Sequence, residues 1–117
     1  MHIEAPGPQD THWTRIVQLY DALLELDSSP IIGLNRAIAI AMRDGPATGL
    51  AIMEELLADG KLNDYRFAHA ARADMYRRLG RVEEARSAYE SALALTSQEA
   101  ERRFIAGRIA ELTHRIR

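Results

Sequence analysis

The chain has 117 residues and a formal net charge of −2, a size that fits a single domain with its own hydrophobic core. It contains no cysteine, which excludes disulfides and thiolate metal sites and fits a reducing compartment, so we expect a cytoplasmic protein. The longest apolar run, residues 37–42, is far shorter than the roughly 20 residues that span a bilayer, and the chain does not begin with a signal-peptide pattern. We therefore expect neither membrane insertion nor export.

Charge is distributed unevenly along the chain. Residues 1–60 contain 3 basic and 9 acidic side chains, whereas residues 61–117 contain 12 basic and 8 acidic ones. This asymmetry indicates a polar partner or a docking face. The alternative, that the helices simply carry solvated charges on their outer faces, stays open.

The first third of the chain predicts a leader followed by two helices. Prolines and a glycine disfavour regular structure in residues 1–9, which we interpret as a leader or severed linker. We assign residues 10–117 to one helical domain. Asp10 is expected to cap helix one, and Ser29 with Pro30 to start helix two, which is apolar almost all round to about Arg43. The spacing on helix one predicts one buried stripe, formed by Trp13, Ile16, Val17, Tyr20, Leu23 and Leu24. An exposed docking stripe at Trp13 and Tyr20 is the alternative.

Helices three and four follow a turn at Asp44, Gly45 and Pro46. Gly45 can take the left-handed conformation that ends helix two, and Pro46 can open helix three, which is expected to end at Gly60. Asn63 is a suitable cap for helix four.

The last two helices are delimited by glycine and by a capping motif. Gly80 is expected to end helix four, and helix five to span residues 82–95. Thr96 and Glu99 have the spacing of a capping box that would start helix six, which runs to the C-terminus. Because no segment alternates as a strand does, we predict an all-α fold of about six antiparallel helices.

A shift of 34 residues aligns small side chains with small side chains. Shifting once more brings Gly107 onto Ala73, which predicts another close helix contact there. The aligned alanines are Ala39 with Ala73, Ala51 with Ala85, and Ala58 with Ala92.

This pattern resembles the tetratricopeptide repeat, a helix hairpin whose small residues allow close contact. The resemblance covers about residues 66–99 and is carried by Ala73, Tyr76, Gly80, Ala85, Tyr89 and Ala92. It implies tetratricopeptide-like hairpins that form a short right-handed superhelix.

A longer series of residues resembles the C-terminal extension of one group of bacterial extracytoplasmic-function sigma factors. The matching positions are Trp13, residues 19–21, Ser29-Pro30, residues 34–37, 44–47, 49–50, 69–74 and 101–104. The resemblance implies a regulatory contact in transcription initiation, with other sigma-factor domains, RNA polymerase or a regulator as partner. No segment resembles the polymerase-binding or promoter-reading domains, so we expect no direct binding of nucleic acid by this segment.

Catalytic motifs are not evident. His2, His12, His69 and His114 form no i, i+4 pair, residues 44–49 lack the lysine of a phosphate loop, and no serine or threonine has an activating context. We expect no enzymatic activity, no metal and no cofactor.

The sequence predicts partner binding on the concave face of the hairpins. In tetratricopeptide-like folds the first helix of each pair lines this groove, which here would hold an acidic peptide or helix. The alternative is that these arginines pair with neighbouring carboxylates and are merely solvated. A different function, a free-standing adaptor or a homodimer formed through helix one or six, also stays open. The predicted groove residues are Arg36, Ile40, Arg43, Phe67, Ala70, Asp74, Arg77, Arg78 and Arg108.

Overall fold

The computed structural model describes residues 8–116 of the chain, and its side chains from 12 to 115. Within residues 8–116 every regular element is an α-helix, which confirms the all-helical prediction. None of these helices is both long enough and apolar enough to cross a membrane. The helices are α1 (Pro8–Leu26), α2 (Pro30–Asp44), α3 (Pro46–Leu57), α4 (Arg66–Arg78), α5 (Val82–Leu95) and α6 (Glu99–Ile116).

The chain divides into two compact units, residues 1–56 and residues 57–117. In the first unit α1 packs along α2. Val17 of α1 and Ala39 and Ile40 of α2 are buried together, and Trp13 and Tyr20 pack against them. The apolar stripe of α1 therefore faces the core at these positions, as its spacing predicts.

A close contact between α2 and α3 depends on Gly49. A Cβ atom built on Gly49 would meet Ala41 and would lie 2.9 Å from the carbonyl oxygen of Ala37. Only a residue without a side chain fits here, because the clash is partly with backbone that cannot rotate away.

The start of α2 and the turn after it follow their sequence signals closely. The Ser29 hydroxyl accepts a hydrogen bond from the Ile31 N–H at 3.2 Å, and Pro30 is the first helical residue. Pro46 opens α3. Gly45 has a positive φ of 108° with an extended ψ of 159°, so it differs from the left-handed helical conformation expected of it, although its N–H still bonds to Ala41.

In the second unit α5 packs against both α4 and α6. Both α4 and α5 contribute fully buried alanines, and the core of this unit also contains larger buried side chains. This confirms small residues at the repeat positions 73, 85 and 92. The fully buried alanines are Ala68, Ala73, Ala85 and Ala92, and the larger buried residues are Met75, Tyr76, Tyr89, Ile105 and Leu112.

The end of α4 is a Schellman motif centred on Gly80. Gly80 has a φ of 76°, its N–H bonds to the Arg77 carbonyl, and the Arg81 N–H bonds to the Tyr76 carbonyl. The Arg81 guanidinium lies 4.8 Å from the centre of the Tyr76 ring. Glycine is required because the backbone is in the left-handed region.

Three predicted helix starts are wrong. Helix α1 begins at Pro8, before the expected cap Asp10, so only residues 1–7 of the predicted leader fall outside the described residues. Helix α4 begins at Arg66 rather than after Asn63, because Leu62 is buried and residues 60–65 form tight turns with Tyr65 N–H bonded to Leu62. The third error concerns Thr96, whose hydroxyl donates to Ala92 of α5 instead of capping α6.

Two further predictions about small residues and helix ends are corrected. Helix α3 ends at Leu57, although Gly60 has the expected positive φ of 78° in the turns that follow. A Cβ atom on Gly107 would meet nothing within 4 Å, so Gly107 does not mark a close helix contact.

We predict opposite stability changes for two glycine-to-alanine variants. Gly49→Ala should lower the free energy of unfolding by about 1–3 kcal/mol, because the added methyl overlaps α2. Gly107→Ala should raise it by about 0.5–1 kcal/mol, because alanine is a better residue in an open helix interior. Urea denaturation followed by circular dichroism measures both. Equal effects of the two substitutions would contradict the close contact at Gly49.

Ala85 provides a second test of helix packing. Ala85→Leu should lower the free energy of unfolding by about 1–3 kcal/mol, since Ala85 is fully buried and has no room for the added methylenes. The exposed Ser87→Leu on the same helix is the control, and it should leave the denaturation midpoint nearly unchanged. An unchanged midpoint for Ala85→Leu would show that α4 and α5 do not meet at this residue.

Candidate protein-binding groove

The second unit contains an open groove of about 590 Å³ between α4 and α6. We call it the α4–α6 groove. Its sides carry Arg66, Phe67, Ala70 and Asp74 from α4 and Ala100, Glu101, Phe104 and Ile105 from α6, and Tyr89 and Thr96 also line it.

Two aromatic rings project at the groove. Phe67 is 46% exposed and Phe104 is 60% exposed, an unusual position for large apolar side chains. Between them Ala70 and Ala100 are too small to fill the space. The groove is therefore mostly apolar and is open to a side chain from another molecule.

An ion pair links the two sides of the groove. The Arg66 Nε lies 3.1 Å from Glu101 Oε2, and both side chains remain more than one third exposed. The Arg66 guanidinium also stacks over the Phe67 ring at 4.3 Å. Both residues of the pair stand in the first turn of their helices, so the N-terminal ends of α4 and α6 lie next to each other.

Asp74 receives two arginines of its own helix. Arg77 Nη2 lies 2.6 Å from Asp74 Oδ1, and Arg78 Nε lies 2.9 Å from Oδ2. The hydrogen bond with Asp74 raises the pKa of the Arg77 guanidinium, burial opposes this, and a hydrogen bond with Tyr89 adds to the rise. The carboxylate at the groove is therefore already neutralised by its own helix.

Side-chain hydrogen bonds hold the end of α5 that lines the groove. The buried Thr96 hydroxyl donates to the Ala92 carbonyl at 2.7 Å, and Arg102 Nη1 donates to the carbonyls of Leu93 at 2.9 Å and Thr96 at 2.7 Å. These bonds satisfy the Ala92 and Thr96 carbonyls and add a second donor to the Leu93 carbonyl, which also accepts the Thr96 N–H.

The structure brings together only part of the predicted site. Phe67, Ala70 and Asp74 line the groove, and Arg77 and Arg78 reach it through Asp74. Arg108 of α6 stacks over Phe104 at 5.1 Å and pairs with Glu111 at 3.4 Å.

The remaining predicted residues belong to the first unit. Ile40 is buried in the core and is not available to a partner. Arg36 pairs with Asp21 at 2.6 Å, and Arg43 pairs with Asp44 at 3.0 Å, a hydrogen bond that raises the pKa of Arg43. Each arginine of the predicted basic face thus has an acidic neighbour.

Arg66, Glu101 and Phe104 are groove residues that the sequence pattern did not predict. The repeat could have revealed Phe104 and Glu101, because a shift of 34 residues aligns Phe104 with Ala70 and Glu101 with Phe67, two positions of the predicted site in α4. The signal is weak since an alanine or a glutamate at these positions carries no chemistry by itself.

No group of three or more potential metal ligands is found among the side chains the structure describes. His69 Nε2 lies 2.7 Å from the Asn63 carbonyl oxygen and holds the turn before α4. His2 lies outside the described residues.

A relative of this chain is known from a bacterium. An uncharacterized protein of Rhizobium meliloti (strain 1021) is 39% identical over 105 residues, which cover 90% of this chain and 24% of that protein. The chain thus spans about a quarter of the length of this relative. No protein-family model matches the chain. No solved structure matches it.

The hydroxyl of Thr96 yields a stability prediction. Thr96→Val should lower the free energy of unfolding by about 1–3 kcal/mol, because the buried Ala92 carbonyl loses the hydroxyl and the Thr96 N–H bonds to Leu93 instead. Thr113→Val is the matched control. Its hydroxyl also donates four residues back, to Ile109, but inside a continuous helix, so we expect a change within about 0.5 kcal/mol. Thermal melts that give equal losses would contradict the role of Thr96.

Proposed function

We propose that this chain is a non-catalytic protein-interaction region that helps to control transcription initiation, as the C-terminal region of an extracytoplasmic-function sigma factor. The observation that carries the binding role is the apolar α4–α6 groove with Phe67 and Phe104 exposed at it. Its partner is another domain of the sigma factor, RNA polymerase or a regulator in the cytoplasm.

The polar groups at the groove favour binding over catalysis. Asp74 is held by Arg77 and Arg78, and the Thr96 hydroxyl is committed to Ala92. A catalytic acid, base or nucleophile has to be free to exchange a proton or to attack a substrate. These groups instead fix the shape of an apolar surface.

Two observations support the tetratricopeptide-like arrangement within the second unit. The Arg66–Glu101 pair joins residues 35 positions apart, close to the 34-residue period of the repeat. The alanines at repeat positions 73, 85 and 92 are fully buried. In such a fold α4 and α6 are the inner helices, which is where the groove lies.

The sigma-factor assignment is supported by the sequence pattern described above and by the length of the relative. Since the chain corresponds to 24% of the Rhizobium meliloti protein, it has the size of one region of a longer protein. A region of this kind acts through contacts with the other parts or with the polymerase.

In a pull-down from a lysate of the native host, we expect this chain to bind transcription proteins through the groove. The chain, immobilised as the wild type, should retain RNA polymerase subunits or fragments of the sigma factor's other domains. Phe104→Ala should weaken this binding by about 30-fold, the loss of roughly 2 kcal/mol typical of an aromatic anchor. Arg103→Ala, next to it on α6 but outside the groove, is the control and should bind as the wild type does.

Two results would contradict the proposal. If Phe104→Ala retained the same amount of transcription proteins as the wild type, the groove would not be the binding site. Recovery of proteins unconnected with transcription, sensitive to the same substitution, would keep the groove and remove the sigma-factor role. A charge reversal of Arg77 and Arg78 is a poorer test, because it would also break their contacts with Asp74.

A further inference from the structure

Helix α1 has a second apolar face that the core does not use. Leu19, Leu23 and Leu26 are 65%, 45% and 85% exposed, and their spacing of four and three residues puts them on one stripe. Leu23 was expected in the buried stripe with Trp13, and the structure corrects this. We call these three residues the leucine stripe.

Carboxylates flank the leucine stripe. Glu25 and Asp27 are exposed on either side of Leu26, and neither has an ion-pair partner among the described residues. The first unit, residues 1–56, contains 3 basic and 8 acidic side chains. Two of its basic groups, Arg36 and Arg43, are occupied by Asp21 and Asp44. The third basic group, Arg15, is exposed four residues before Leu19, so the stripe is apolar and acidic at its other end, around Leu26.

The second unit, which contains the α4–α6 groove, has the opposite net charge. The second unit, residues 57–117, contains 12 basic and 9 acidic side chains. At the groove Arg66 is held by one partly exposed carboxylate, Glu101, next to the exposed ring of Phe67. A helix with bulky aliphatic residues and a carboxylate beside them fits such a surface, because its carboxylate can share or replace Glu101 on Arg66.

We infer that the α4–α6 groove of one copy binds the leucine stripe of a second copy. The inference rests on the groove of the proposed function and names one occupant for it. The groove and the stripe are both apolar, they belong to units of opposite net charge, and both are present on this chain. The contact is heterologous, since different surfaces of the two copies meet. Because one short helical face is buried, we expect weak association with a Kd of roughly 10–100 µM.

The test uses one variant for each surface. Leu23→Ala combined with Leu26→Ala removes the leucine stripe, and Phe104→Ala removes part of the groove. Both changes are at exposed side chains, so folding should persist, which circular dichroism verifies. Sedimentation equilibrium of the wild type should show self-association that weakens at about 0.5 M salt, where exposed charges are screened. Each variant alone should associate at least about tenfold more weakly.

Mixing the variants gives the decisive measurement. The stripe variant keeps an intact groove and the groove variant keeps an intact stripe, so an equimolar mixture should recover a heterodimer that neither forms alone. Arg103→Ala should self-associate as the wild type does. A symmetric contact between two α1 helices would instead leave Phe104→Ala fully associated and would give no recovery on mixing, and this would overturn the inference.

The inference and the proposed function can fail separately. A wild type that stays monomeric up to about 1 mM overturns the inference, even if the chain still recovers RNA polymerase through Phe104. Self-association of the wild type, restored when the two variants are mixed, supports the inference even if the pull-down captures no transcription protein. In that case only the sigma-factor role is contradicted.

Discussion

Close approach of helix backbones at residues with little or no side chain is the constraint on which both units depend. In the second unit α4 and α5 meet at Ala73, Ala85 and Ala92, which have no exposed surface. In the first unit Gly49 allows α3 to touch the backbone of α2. Dispersion contacts at such positions are numerous because the packing leaves no gaps. A larger residue at either place would separate the two helices and shift the side chains that they carry.

The α4–α6 groove is a consequence of this packing. Because α5 packs against α4 through alanines and also packs against α6, a gap remains between α4 and α6, and Ala70 and Ala100 do not close it. Phe67 and Phe104 remain exposed beside that gap. The ion pair between Arg66 and Glu101 spans the gap between the two helices at one end. A surface of this shape is suited to bind a helix or an extended segment through apolar contacts.

The charges on this protein are mostly paired within helices or between neighbours. Arg77 and Arg78 share Asp74, Arg81 pairs with Glu84, and Arg43 pairs with Asp44. Exposed pairs of this kind contribute little to stability. They do reduce the basic character of the predicted concave face, so apolar contact at the groove carries more of the proposed recognition than a row of cations. Glu25 and Asp27 beside the leucine stripe are among the described carboxylates that have no ion pair, and they give the self-association its expected dependence on salt.

The sequence alone determined the helices and much of their packing. Apolar spacing, Ser29-Pro30, Pro46 and Gly80 correctly located the starts or ends of helices because these signals act within a few residues. The repeat identified the buried alanines at positions 39, 73, 85 and 92, because helix contacts recur with the period of the hairpin, but it does not hold for Ala51 and Ala58, which are exposed. Three groove residues of α4, Phe67, Ala70 and Asp74, followed from the same pattern.

Only the tertiary structure decided the remaining features, because each depends on residues far apart in the chain. Helix α4 begins after the expected cap Asn63, because the turns before it bury Leu62. The Thr96 hydroxyl donates to the Ala92 carbonyl and so does not form the expected capping box. The distinction between Gly49 and Gly107, two similar glycines in helices, depends on whether a neighbouring helix is present. Arg66 meets Glu101 across 35 positions of sequence, and the exposure of the leucine stripe depends on which side of α1 faces α2. Local spacing shows that a helix has an apolar side, but only packing determines which apolar residues are left for a partner.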